Sequence, residues 1–203
     1  MKERVGIYLV GLFISALGIA LIILSAAGAG PMDTVGVGLT NHFGLTIGFW
    51  STIAQLSLVF ITGLIERRRL RIESVLPVVI RSVFLDIWIY GVFRNFDVSA
   101  SSWEIQWLVF LLGVLGVGVG IGVYMEAKFP KTPVDGLMIA IQERFKWSLN
   151  ASRITIELSA VLVGFLLGGP VGLGTLVVAL GLGRIIQVAN RLVPVTTRIL
   201  SKG

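Results

Sequence analysis

The chain has 203 residues, 55% hydrophobic and 14% charged, with a formal net charge of +6 and no cysteine. A soluble domain carries about a quarter charged residues, so a water-facing globule is excluded, and the absence of cysteine removes disulfide, thiolate and cysteine–metal chemistry. The basic excess does not point to nucleic acid, because the lysines and arginines sit in short stretches between apolar runs, where they orient membrane proteins.

In chain order, the first apolar run covers 5–27, 23 residues without a charge. About 20 suffice to span a bilayer. The run exceeds the roughly 7–15 residues of a signal-peptide core, so it is expected to remain as a mature helix. The tetrapeptide GPMD at 30–33 follows, then a short amphipathic segment over 33–43 and a second span over 47–65. The third span, 74–93, carries Arg81 and Asp86. Their i, i+5 spacing misaligns them on an ideal helix, so they are not expected to pair only with each other. The fourth span, 105–125, is uncharged and offers Gly116 with Gly120 and Gly118 with Gly122. Such small-residue faces let helix backbones approach closely, within the chain or in a homodimer.

TPVD at 132–135 and a second short segment over 135–145 precede the fifth span, 150–167. In each short segment Pro31 or Pro133 ends what comes before, and Asp33 or Asp135 is expected to cap the new helix. The stripes Val35, Leu39, Phe43 and Leu137, Ile141, Phe145 would share one face in each. Two placements suit these helices: flat on the membrane surfaces, or dipping into the protein with their N-terminal amides lining a cavity. GGPVGLGT at 168–175 is glycine-dense (Gly168, Gly169, Gly172, Gly174) but lacks the Lys-Ser/Thr ending of a phosphate-binding loop. A tight hairpin leading into a sixth span, 173–190, with Arg184 and Gln187, is the better reading.

Orientation follows from the basic residues. With the N-terminus inside, thirteen lysines and arginines fall on the inner side (positions 2, 4, 67, 68, 69, 71, 128, 131, 144, 146, 191, 198 and 202) against Arg94 alone outside. That asymmetry predicts six spans with both termini cytoplasmic.

Sliding the chain by 102 residues superposes Gly11 on Gly113, Gly18 on Gly120, Pro31 on Pro133, Asp33 on Asp135 and Phe43 on Phe145. Over 9–65 against 111–167 there are 11 identities in 57 positions. The proline and polar matches fall at equivalent places between equivalent helices. A duplication is therefore expected, with 5–93 as one repeat and 105–190 as the other within a single membrane domain over 1–203. Three spans per repeat is an odd number, so the repeats would be inverted. The paired P-x-D motifs, RITIELSAVLVGFLLGG and GGPVGLGT together resemble the YczE/YyaS/YitT-type bacterial integral membrane proteins. The resemblance covers about 5–189 and implies a small multi-pass protein of the bacterial cytoplasmic membrane, with no settled activity to carry over.

The candidate site residues are the polar groups inside spans or at their breaks. Arg153 and Glu157, at i, i+4, share one helical face. Gln55 is the repeat counterpart of Glu157, and Arg81 and Arg184 become counterparts after one residue of slip. With Asp33 and Asp135 they form the expected substrate-binding set. An unpaired charge within a span costs several kcal/mol, so each of these groups needs a partner or a purpose. His42 is the single histidine, and no metal spacing, cofactor motif or nucleophile–base pair accompanies it. The expectation is a non-enzymatic transporter or channel for a small solute, with its site between the repeats and proton coupling open through Glu157 or Asp86. The alternative is a membrane accessory protein that scaffolds another membrane or secretion-linked system; its polar groups would pair off and leave no cavity.

Overall fold

A computed structural model describes residues 2–67, 72–127 and 132–181, and among these every regular element is helical. The elements are α1 (Lys2–Leu24), α2 (Pro31–Phe43), α3 (Ile47–Glu66) and α4 (Val75–Asp86), which runs into a π-helical turn (Ile87–Val92). They continue as α5 (Trp103–Glu126), α6 (Pro133–Phe145), α7 (Leu149–Leu166) and α8 (173–181). Among the described residues five stretches are long and apolar enough to cross a membrane: Glu3–Leu24, Ile47–Glu66, Val75–Val92, Trp103–Met125 and Leu149–Leu166. The molecule is a multi-pass, all-α membrane protein. Most of the expected sixth span, with Arg184 and Gln187, lies outside the described residues.

α1 and α5 run antiparallel and form the tightest seam. A Cβ on Gly11 would strike the backbone of Gly120, and one on Gly18 would strike Gly113 and Val117. Seen from the other helix, Gly113 meets Gly18, and Gly120 meets Gly11 and Ser15. Without side chains between them the two backbones touch, a route to helix association that needs no hydrophobic driving force. Phe110, Ala16, Ala20, Val114 and Val117 fill the core beside the seam.

α1 stops three residues before the expected end at 27. Ser25 donates its hydroxyl to the Ile22 carbonyl at 2.6 Å and accepts from the Ala27 N–H at 3.2 Å, which diverts the backbone from the helix. Ala26 and Gly28 then take positive φ. This irregular stretch docks on 168–175: Ala29 N–H donates to the Pro170 carbonyl and Gly174 N–H to the Ala27 carbonyl, each at 2.9 Å. Gly169 and Gly172 allow the close approach, since a Cβ on either would meet the Thr34 or Ala27 carbonyl. The glycine-rich loop is thus a hairpin that also seals against the break after α1.

The two short helices begin on their prolines, not on their aspartates. Pro occupies the first helical position in both, Gly30 and Thr132 are the N-caps, and Asp33 and Asp135 sit two residues inside. The expected aspartate caps are corrected accordingly. Proline has no N–H to lose at that position and its φ is already helical, so the helix starts there. α2 packs between α3 and α7, and α6 packs against the same two helices. Along each stripe exposure rises toward the C-terminus, from Val35 at 9% to Phe43 at 67%, and from Leu137 at 5% to Phe145 at 56%.

Candidate functional site

α2 and α6 direct their N-terminal turns into one cavity of about 360 Å³. α2 contributes Gly30 to Asp33, and α6 with its cap contributes Thr132, Val134 and Asp135. α3 supplies Gln55, α4 supplies Arg81, and α7 supplies Arg153 and Glu157. The lining also includes aliphatic residues, Ile19 and Ile22 from α1, Val117 and Ile121 from α5, and Val178 from α8. Of the seven residues selected from sequence, Asp33, Asp135, Gln55, Glu157, Arg153 and Arg81 all border this cavity; Arg184 lies outside the described residues.

The charged groups are not equally satisfied. Arg153 donates from Nε to Glu157 Oε1 at 2.9 Å, the pairing expected from i, i+4 spacing. Glu157 Oε2 is buried without a hydrogen-bond partner among the described residues. Thr132 donates its hydroxyl to Asp135 Oδ2 at 2.9 Å and accepts from the Asp135 N–H at 3.4 Å, so the cap and the carboxylate hold each other. Asp33 has no such partner, because its cap position is Gly30. α2 lies outside the five spans, and burial pushes the Asp33 carboxyl up to about 6 against the lowering field of Arg81. Among the described residues Arg81 makes no hydrogen bond or ion pair of its own, although Asp33 feels its charge. Gln55 is 3% exposed and borders the same space.

Asp86, held open from sequence as a proton-coupling group, does not border the cavity. It accepts from Thr46 Oγ1 at 2.6 Å and from the Gly48 N–H at 2.8 Å, stabilising the start of α3 as an anion at a helix N-terminus. Tyr90, on the π-helical turn, accepts from the Ile47 N–H beside it. His42 is exposed at the end of α2, away from the cavity.

Two polar lining residues escaped the sequence reading, Tyr124 and Thr132. Thr132 was detectable from the Thr-x-x-Asp spacing at the start of a helix, a capping pattern. Tyr124 left a fainter signal, as a lone phenol near the end of an otherwise apolar fourth span.

The family of unknown function DUF6198 matches residues 2–191. The chain is 37% identical over 182 residues to the uncharacterized membrane protein YczE of Bacillus subtilis (strain 168), covering 89% of this chain and 82% of the relative. It is 29% identical over 169 residues to the uncharacterized protein YyaS of the same organism, covering 83% of each. An uncharacterized protein of Haemophilus influenzae is 31% identical over 185 residues, covering 91% of this chain and 82% of that one. No solved structure matches. Helix pattern, paired P-x-D motifs and these matches agree, and the chain belongs to the DUF6198 family.

Proposed function

We propose that the protein moves a small solute across the bacterial cytoplasmic membrane, as a transporter or channel, through a site between two inverted repeats, 5–93 and 105–190. The observation that carries this reading is a cavity bordered by charged groups from both halves of the chain. A scaffold has no reason to hold Arg81 and Asp33 beside one interior space without an ion pair, at several kcal/mol per uncompensated charge.

The inverted arrangement is supported by the reciprocity of contacts. Gly11 meets Gly120 while Gly18 meets Gly113, and these are the same two positions of each repeat exchanged. α2 packs on α7 as α6 packs on α3, again with partners exchanged. This is the pattern of a two-fold axis, in which i touches j and j touches i. α2 and α6 would then be re-entrant helices entering from opposite faces, their N-termini inward and Phe43 and Phe145 outward. Helix N-termini at the meeting point of broken segments are a recurrent construction for solute sites.

The orientation, both termini cytoplasmic, rests on the distribution of lysine and arginine. The cysteine-free chain makes this directly measurable. An impermeant thiol reagent added to intact cells should label Ser99→Cys and spare Glu3→Cys; the reverse pattern inverts the topology. Transport is tested by reconstituting purified protein in liposomes and following light scattering under gradients of small polar and charged solutes. A flux above that of empty liposomes, reduced in Arg81→Leu, is expected for at least one solute. Rates equal to empty liposomes across the panel would replace this reading with the accessory role.

A further inference from the structure

The charge arrangement of the cavity points beyond a solute in general to a class of solute, an inference that rests on the proposed role of this cavity as a solute site. Three carboxylates (Asp33, Asp135, Glu157) and two guanidinium groups (Arg81, Arg153) border it. Asp135 is engaged by Thr132, and the Arg153 Nε is engaged by Glu157 Oε1. What remains is a negative pole at the Asp33 carboxylate, with Glu157 beside it in the lining, and a positive pole at Arg81. Arg81 and Asp33 influence each other electrostatically yet form no ion pair.

Two opposite charges held facing one space without closing on each other form a receptor for a molecule carrying both. A singly charged anion would gain Arg81 while approaching three carboxylates. A singly charged cation would gain Asp33 and Glu157 while approaching two guanidinium groups. An amphoteric solute meets both poles at once, placing each of its charges on the opposite one. The aliphatic lining residues Ile19, Ile22, Val117 and Ile121 suit an aliphatic body. We propose that the cavity binds a small aliphatic zwitterion, its carboxylate on Arg81 and its ammonium group on Asp33.

The test uses the full-length protein in detergent and reads the ligand-induced shift in melting temperature, with calorimetry for Kd. The probes are glycine, L-alanine, L-valine, L-leucine and γ-aminobutyrate. L-leucine is matched by 4-methylpentanoate, which lacks the ammonium group, and 3-methylbutylamine, which lacks the carboxylate. At least one zwitterion should raise the melting temperature, and its singly charged analogues should bind at least about tenfold more weakly, since each forfeits a charge-assisted contact. Arg81→Leu and Asp33→Asn should each abolish the shift. No shift from any zwitterion, or an equal shift from a singly charged analogue, overturns the proposal on the unmodified protein, whatever the variants do. Zwitterion binding without flux in liposomes would remove transport and keep the ligand class. Flux of a solute with a single charge would keep transport and remove the ligand class.

Discussion

The starts of α2 and α6 are the same element written twice, and they behave differently. Both open on proline at the first helical position with aspartate two residues later. In α6 the preceding residue is Thr132, whose hydroxyl locks the Asp135 carboxylate at 2.9 Å. In α2 it is Gly30, which offers no side chain, and the Asp33 carboxylate is left facing the cavity. One residue outside the motif decides whether the motif's acid is structural or available. The same division appears in the spans that follow, where α7 carries the charged pair Arg153 and Glu157 and the positions 102 residues earlier, in α3, are Ser51 and Gln55. A frame with paired contacts thus holds an asymmetric set of charges, which a site for an unsymmetrical solute requires.

The largest effect should separate the two aspartates. Asp33→Asn is expected to lower kcat/KM for solute uptake in liposomes at least about tenfold, the worth of one hydrogen bond to a charged group. Asp135→Asn should lower it less than about threefold, because that carboxylate is already committed to Thr132. Equal losses would break the comparison. Gly30→Thr should convert the first start into a copy of the second. A Cβ at position 30 would lie 2.5 Å from Asp33 Oδ2, so the carboxylate must turn, and the new hydroxyl is placed to hold it. Uptake in this variant should fall to the level of Asp33→Asn while the fold is retained.

A smaller effect is expected in the pH dependence of stability. Burial raises the Asp33 pKa from 3.8 to about 6, so between those values the folded state binds more protons than the unfolded state. Stability contributed by protonated Asp33 is therefore present at low pH and lost as pH rises through about 6. The melting temperature of the unmodified protein should fall across this window, by the equivalent of about 1 kcal/mol after discounting for solvation from the cavity, and Asp33→Asn should flatten that fall. The smallest effect belongs to Thr132→Ala. It removes the helix cap and the hydroxyl that holds the Asp135 carboxylate, so a loss of about 1 kcal/mol in thermal unfolding is expected, with uptake nearly unchanged. A large uptake defect there would place Asp135 beside Asp33 as a solute-facing group.

Much of the site was legible before any tertiary contact was known. Charged and amide groups inside apolar runs are costly, so Gln55, Arg81, Arg153 and Glu157 stood out by expense alone. The Arg153–Glu157 pair follows from helical spacing, and the structure contains it. Asp86 met the same criterion and has a different task, holding the start of α3 through Thr46 and Gly48, some 40 residues away in sequence. Nothing local distinguishes an acid that stabilises a helix from one that faces a cavity. Tyr124 and Thr132 were missed for the converse reason: a phenol or a threonine near the end of a span is inexpensive and draws no notice.

By itself the sequence determined where helices run, where they break and which polar groups are buried in spans, because hydrophobic periodicity, proline and glycine act over a few neighbouring residues. It also determined that the P-x-D element occurs twice. Which ends of those elements face inward, and which of the polar groups share one space, was decided only by tertiary packing. The close antiparallel approach of α1 and α5 across their glycines and the docking of 168–175 on the break after α1 set the helix positions. Those contacts join residues about 95 to 150 positions apart, a distance over which local sequence patterns carry no positional information.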